Sequence, residues 1–505
     1  MCDVEYSLKS IKRIVIEYNI DMKRYYFFFG EGSKINQIIC AVLINLPVFA
    51  YGTSVGWMSP MTLLLQSDNS PRGTPLTDYE VSWMGAIAYI ICIPSDFLMA
   101  ILADKFGRKY TVFFLSSMGL GCWLVKLSSM DVWAFILARG MIGVLMAGSY
   151  VTCPMYTKEI SEDSVRGMLG SLVILFHTTG NLFLYIIGDI LNYQTILWVC
   201  LSFPAIHLVL FTLMPESPSY LVKKGDIKGA AKSLAWLRCR QEDDEAVLSE
   251  INQIVKEKEK DSESNKFALK AILTDKILFR AFKIAIVVAI AREFCGAIPV
   301  LNFAGEIFTM SSEGRAPILT PNQQAMLLGT VQIVGSVMTF GTVEKLGRKM
   351  LLFLTSLVSG LSMVTLASWF LARAYGVHLP AWVPIATLCL CIFCDSFGLQ
   401  PISVIITGEI FSFKYRGTVM ATAMALASSS ASLQMLFFKP IVSSIGAHVA
   451  FYIFGGVCLI TALYTILVVP ETKMRGLEEI YEDLKTKKEK KQEAETKNEK
   501  EITAC

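Results

Sequence analysis

The residues best suited to chemistry in this chain are an acid, a glycine turn and a guanidinium at fixed spacing, and they occur twice. Asp104, Gly107, Arg108 and Lys109 recur 240 residues later as Glu344, Gly347, Arg348 and Lys349. Glu159 with Arg166 recurs 250 residues later as Glu409 with Arg416, and Glu216 after Pro215 recurs 255 residues later as Glu471 after Pro470. An Arg–carboxylate fork is strong and directional yet can be broken and remade, so the set reads as a latch. The competing reading makes these charges simple topology markers at helix ends; matched acids in both copies favour the latch. No phosphate-binding loop, zincin pattern or nucleophile elbow occurs, so no enzyme is expected.

A second group of polar residues sits inside apolar runs. Arg292 and Glu293 are neighbours about 13 Å beyond Lys283 at 1.5 Å per residue. A charge at that depth costs roughly 2.5–3.5 kcal/mol on the most lenient insertion scale. Adjacent residues point about 100° apart on a helix, so at least one of the two is expected to face a cavity or another charge rather than its neighbour. Asp96 and Asp395 are further intramembrane acids, and Asp96 lies at a depth similar to that of Arg292. His177 and Asn181 share one helical face, where they either line a cavity or bond to a neighbouring helix.

These residues must be held by membrane-spanning helices. The 505 residues are 53% hydrophobic and 18% charged, with a mean hydropathy of +0.51, far from the composition of a soluble domain. Of the 89 charged residues, 56 lie in three blocks, 1–34, 216–283 and 471–505. Apolar runs between the blocks give twelve spans, six on each side of the central one. Placing both termini in the cytoplasm puts 39 of the 46 Lys and Arg on the inner side, as the positive-inside rule requires. The expected organisation is therefore a cytoplasmic segment 1–34, a six-helix half 35–215, a cytoplasmic linker with short helices 216–280, a second half 281–470 and a charged tail 471–505. Ala230, Leu234, Leu237, Ile251 and Ile254 give the linker its helical pattern, and the tail beyond Ile480 reads as disordered or as a solvated helix.

Other features exclude functions. The net charge of +3 gives no reason to expect nucleic acid. Most cysteines fall in apolar runs, and Cys389, Cys391 and Cys394 lack a neighbouring His and a zinc spacing, so neither disulfides nor a metal are expected. The N-terminal segment shows neither the long apolar stretch nor the small-residue cleavage site of a signal peptide and is expected to stay on the mature protein, and Asn69 is followed by Ser70 and Pro71, which is no glycosylation triplet. Pro299, Pro384 and Pro401 are candidate bends, and Trp57, Trp198 and Trp382 read as interfacial anchors.

Two membrane repeats with a duplicated latch point to transport, with the solute bound between the halves. The ordered motifs resemble the sugar porters of the major facilitator superfamily. They are Ala103 to Lys109, Arg139 with Gly140 and Gly143, Pro154 to Tyr156 with Glu159 and Arg166, and Pro215 to Pro218. In the second half they are Val343 to Lys349, Gly408 and Glu409 with Arg416, Pro470 to Lys473, and Leu477 to Ile480. Gly56 to Pro60, Ser82 with Trp83, and Gly408 to Phe411 resemble the facilitated trehalose transporter branch in particular. The resemblance implies an all-α membrane protein of the major facilitator fold, twelve transmembrane helices in two pseudo-symmetric halves. It further implies facilitated diffusion of a sugar, without a cofactor, by a monomer in the plasma membrane and its lipid bilayer. Gly52, between Tyr51 and Thr53, stands where proton-linked relatives carry Asp, which favours downhill transport.

The departures from the family fall on the solute site. Arg292 and Glu293 replace a pair of glutamines, Cys295 a Ser, Ile298 an Asn, Ile174 a Gln and Val404 a Trp, and Ala427 stands where Asn is common. Buried solute hydroxyls need partners, and the candidates that remain are His177, Asn181, Arg292, Glu293, Asn302, Gln332 and Gln400. Trehalose or a related sugar is the expected solute. A sensor that retains the fold without transport, and a porter of another polar or charged solute, are the alternatives.

Overall fold

The computed structural model describes residues 32–262, 268–312, 319–377, 379–411, 413–473 and 475–485. The expected N-terminal segment before Gly32 and the tail beyond Lys485 lie outside the described residues, as do the side chains of Glu344 and Arg416.

The first half is α1 (Ile35–Gln66), α2 (Asp78–Phe106), α3 (Arg108–Ser128), α4 (Val132–Ile160), α5 (Asp163–Ile190) and α6 (Tyr193–Phe211). Four linker helices follow: α7 (Pro218–Lys224), α8 (Ile227–Arg238), α9 (Glu245–Ser262) and α10 (Ala268–Thr274). The second half opens with a crossing in three pieces, α11 (Lys276–Glu293), α12 (Ala297–Asn302) and α13 (Ala304–Ser312). It continues with α14 (Pro321–Leu346), α15 (Arg348–Ala374), α16 (Trp382–Cys394) and α17 (Gln400–Glu409) joined by a π-helical turn, α18 (Phe413–Ser444), α19 (Ala447–Leu467) and a short α20 (Leu477–Leu484). Eleven of these crossings are long and apolar enough to span a bilayer, and α14 supplies the twelfth, its 26 residues rising about 39 Å. The chain is a multi-pass membrane protein with twelve crossings.

The repeat seen in sequence is repeated in local structure. The second crossing of each half starts with a capping box, Thr77 with Glu80 and Thr320 with Gln323. Each box satisfies two N–H groups that would otherwise be orphaned at a helix end. Both crossings end in a positive-φ glycine, Gly107 (φ +104°) and Gly347 (φ +84°), from which the third crossing starts at once. Between the halves α2 packs on α18 and α5 on α14, the two related positions of a pseudo-two-fold seam. Within the first half α1 and α5 cross closely: a Cβ on Gly52 would lie 2.2 Å from the His177 carbonyl oxygen, and one on Gly180 would lie 2.3 Å from that of Phe49.

Of the proline and tryptophan expectations, those for Pro384 and Trp57 are corrected. Pro299 breaks its crossing four residues upstream, where its ring excludes the Cys295 carbonyl from a helical bond; Gly296 takes φ +88° there. Pro401 follows the π-helical turn Asp395–Leu399, whose freed carbonyls at Ser396 and Phe397 accept the Thr339 hydroxyl at 3.1 and 3.0 Å. Pro384 lies in the first turn of α16, where an N–H would be unpaired anyway, so it bends nothing. Trp198 and Trp382 are exposed on the bundle, but Trp57 is buried, its ring 3.7 Å from Lys126 Nζ. It is therefore a cation–π partner inside the first half rather than an interfacial anchor.

The linker helices form their own small core of Val222, Ala230, Leu234, Val247 and Ile251. They dock beneath the first half through Arg238, which donates to the Ile160 carbonyl at 2.9 Å and pairs with Glu250 at 2.6 Å, and through Asn36, which donates to the Trp236 carbonyl at 2.7 Å.

The glycine crossing makes a simple prediction. Gly180→Ala should cost about 1–3 kcal/mol through overpacking and lower the thermal midpoint of the purified protein. Gly170→Ala on the same helix meets nothing within 4 Å and should leave the midpoint unchanged; equal effects would contradict the close crossing.

Candidate functional site

The latch residues come together at one end of each half. Arg108, the first residue of α3, donates through Nη2 to Glu159 Oε1 at 2.9 Å and through Nε to Glu159 Oε2 at 3.0 Å. Its Nη1 reaches the Ala103 carbonyl at 2.9 Å and Asp104 at 3.2 Å, and Asp104 also pairs with Lys223 at 3.0 Å. Glu216 does not pair with the guanidinium. Its carboxylate accepts the backbone N–H groups of Arg108 (3.0 Å), Lys109 (3.1 Å) and Ser217 (2.8 Å). It therefore caps the N-terminus of α3 from another segment, where orphan donors and the helix dipole favour an anion. Burial pushes the Glu216 carboxyl above its usual range, and these N–H bonds oppose the shift. The Ser217 hydroxyl donates to Glu159, while Lys109 Nζ donates to the Thr212 carbonyl at 2.7 Å. Arg166 donates to the Ser161 carbonyl at 3.1 Å, ending the α4–α5 turn.

The second half repeats this arrangement. Arg348 Nη2 donates to Glu409 at 2.9 Å, Glu471 accepts the N–H groups of Arg348 (2.9 Å) and Lys349 (3.1 Å), and the Thr472 hydroxyl donates to Glu409 at 2.5 Å. Gly107 and Gly347 let the acid approach: a Cβ would lie 2.2 Å from Glu216 Oε2 in one and 2.7 Å from Glu471 Oε2 in the other. Among the described residues each fork closes inside its own half, joining crossings two, three and four in the first half and nine and ten in the second. Among the described residues the latch contacts thus tie crossings within a half to one another.

The candidate solute residues lie along the seam. Asn181 on α5 donates to Gln332 Oε1 on α14 at 3.2 Å, so this face bonds across to the other half. His177 stacks on Tyr51 with ring centroids 5.0 Å apart, and its Nδ1 lies 3.3 Å from the Tyr150 hydroxyl. Asn302 donates to its own helix at Ile298, 2.9 Å away, and Gln400 is half-buried directly after the π-helical turn. Arg292 and Glu293 pair with each other at 2.6 Å, against the expectation from their 100° offset. Glu293 is the last residue of α11, and the helix break beyond it lets two long side chains fold together. Asp395 accepts the Cys295 thiol at 3.6 Å, and Asp96 accepts the Cys92 thiol at 3.7 Å rather than Arg292.

Residues not anticipated from sequence complete the seam. Gln434 on α18 donates to the Glu293 carbonyl at 2.9 Å, next to the break in the seventh crossing. Tyr185 donates to the Leu301 carbonyl at 2.6 Å, and Ser59 Oγ accepts Gly305 N–H at 2.8 Å. Lys439 reaches Gln66, Asp78 and Glu306 at the end far from the latches. A Lys within an apolar run was the available signal, but its distance from the other charges in sequence concealed the partners. The cross-half bonds among these, Tyr185 to Leu301, Ser59 to Gly305 and Lys439 to Gln66 and Asp78, run from mid-bundle to that far end, whereas Gln434 and Glu306 make their contacts within the second half.

A helical membrane bundle of two similar halves, each with its own internal latch and meeting along a polar seam, is a carrier of the major facilitator superfamily. Residues 35–484 match the family model described as Sugar (and other) transporter, and the chain belongs to that family. It is 26% identical over 450 residues to the facilitated trehalose transporter Tret1 of Culex quinquefasciatus, covering 88% of this chain and 85% of the relative. It is also 26% identical to the Tret1 protein of Aedes aegypti, of which it spans 54%. In fold it is similar to the inward open conformation of the xylose transporter XylE from E. coli, with a TM-score of 0.70, 20% identity and coverage of 89% and 100% of the two chains.

Side-chain exposure ranks the two forks. Arg108 and Glu159 are 7% and 15% exposed, whereas Glu409 is 32% exposed. Arg108→Gln should therefore destabilise more, by about 3 kcal/mol, because it strands a largely buried carboxylate. Arg348→Gln should lower the thermal midpoint less, and a larger drop for Arg348→Gln would contradict this ranking.

Proposed function

We propose that this chain carries trehalose or a related sugar down its gradient by alternating access, as a monomer in the plasma membrane with both termini in the cytoplasm. The observation that carries the reading is a set of buried hydrogen-bonding atoms along the seam with no partner among the described residues: His177 Nε2, Asn181 Oδ1, Asn302 Oδ1 and Gln434 Oε1. A polyhydroxylated solute offers many donors and acceptors, and buried groups of this kind gain most from such a partner. Family membership and the trehalose-transporting relatives support the same solute class. Gly52 offers no carboxylate for a proton, which supports facilitation. The distribution of Lys and Arg supports the orientation, and with it the far end of the seam faces outward, making this the inward-facing arrangement.

The Arg292–Glu293 pair favours one second reading, a porter of a charged solute. Its guanidinium is 19% exposed within the bundle and is placed to exchange Glu293 for a solute anion.

Counterflow in liposomes separates the readings. The purified chain, preloaded with unlabelled trehalose, should accumulate labelled trehalose transiently without a proton gradient. Asn181→Ala should reduce that flux roughly tenfold, the effect of one lost hydroxyl partner. Flux of anionic metabolites alone, abolished by Arg292→Gln, would establish the second reading, and no flux of any solute would overturn both.

A further inference from the structure

The far end of the seam holds a buried cation shared between the halves. Lys439 on α18 is 2% exposed, and its Nζ lies 2.8 Å from Gln66 Oε1, 3.0 Å from Asp78 Oδ1 and 3.0 Å from Glu306 Oε2. Gln66 and Asp78 belong to the first half, whereas Glu306 belongs, like Lys439, to the second. Gln66 Nε2 also donates to Asp78 Oδ1 at 2.9 Å, so the first-half partners form one unit. The Phe303 ring lies 5.7 Å from Nζ and belongs to the same half as Lys439. Nearby, Gly305 N–H on Ser59 and the Tyr185 hydroxyl on Leu301 cross the seam without any charge.

We infer that Lys439 is the gating residue of the far-end pathway, holding it shut through Asp78 and Gln66 and keeping Glu306 as its counter-ion when the halves part. The exposures fit this division of roles. Asp78 is 52% exposed and Glu306 24%. Asp78 is also the first residue of α2, where the helix dipole stabilises a carboxylate. Once released it meets water and a favourable helix end, so opening leaves no stranded anion. Lys439 cannot be released in the same way, because an unpaired ammonium in a low-dielectric seam is costly. Glu306 moves with it and removes that cost. A three-oxygen cluster split in this way can be opened repeatedly, whereas an isolated buried pair would resist opening.

The two acids therefore have opposite effects on the same equilibrium. Removing the Asp78 charge weakens only the sealed state, since Lys439 keeps Glu306 in both states. Removing the Glu306 charge penalises mainly the open state, in which Lys439 would have no carboxylate. The capping box at Thr77 and Glu80 does not involve the Asp78 side chain, so Asp78→Asn leaves the start of α2 intact. The inference rests on the alternating-access reading, but its test needs no solute.

The experiment is hydrogen–deuterium exchange of the full chain in lipid nanodiscs, comparing far-end peptides (59–66, 78–90, 430–444) with latch-end peptides (100–110, 344–352). Asp78→Asn should raise exchange at the far end and lower it at the latch end, a roughly tenfold shift of the open-to-sealed ratio. Glu306→Gln should move both in the reverse direction. Should Asp78→Asn raise exchange at both ends, or the two variants shift the ratio in the same direction, the gate is overturned and the cluster only stabilises the fold. A Gln66→Leu chain, which removes the neutral arm, should follow Asp78→Asn with a smaller shift, and no shift there would also count against the gate. Reciprocal exchange in a chain that moves no sugar would leave the gate standing and remove the sugar reading alone.

Discussion

The Arg108–Glu159 pair, repeated as Arg348–Glu409, ties the third crossing of each half to the fourth at a single point. A guanidinium presents a planar fork, so the pair fixes direction as well as distance. Glu216 and Glu471 add a second constraint by capping the N-termini of α3 and α15 from the segments that leave each half. An anion at a helix N-terminus is held by backbone donors that cannot rotate away. Together these contacts make the latch end of each half a rigid block, and a carrier that rocks needs rigid blocks on either side of a deformable seam.

The seam is built differently. Among the described residues its bonds are mostly neutral, such as Asn181 to Gln332 and Tyr185 to Leu301, with a charged cluster around Lys439 at the far end. Helix irregularities gather beside it: the break at Phe294–Gly296, the π-helical turn at Asp395–Leu399 and the Thr339 hydroxyl that satisfies the carbonyls freed there. Backbone of this kind is tolerated inside a membrane only where protein or a cavity supplies the missing partners. The same regions hold Arg292, Glu293 and Asp395, so buried charge and irregular backbone occur together there.

The twelve crossings and their two-fold repeat were legible in the sequence because bilayer thickness and charge placement act on every residue of a span. The latch was legible as a motif, since Arg108 and Arg348 recur with the same neighbours. Its closure within each half was not, because spacing along the chain does not say which half an acid serves. The Arg292–Glu293 pair was misread because a 100° offset assumes a continuous helix, and the break induced upstream of Pro299 removes that assumption. Trp57 was misread for a related reason: its partner Lys126 is about seventy residues away in sequence. Lys439, Asp78 and Glu306 come from three separate crossings, and only tertiary structure brings them together.

Paired spin-label distances test most directly whether rigid halves move about a seam. In a background without reactive thiols, labels at the exposed positions Tyr110 and Met350 report across the latch end, and labels at Ser128 and Tyr375 report across the far end. On addition of trehalose in nanodiscs, the first distance should shorten in the population in which the second lengthens, with a Tyr110 to Ser128 distance inside the first half unchanged. Distances that stay fixed, or that lengthen together at both ends, would contradict the rocking of two latched halves.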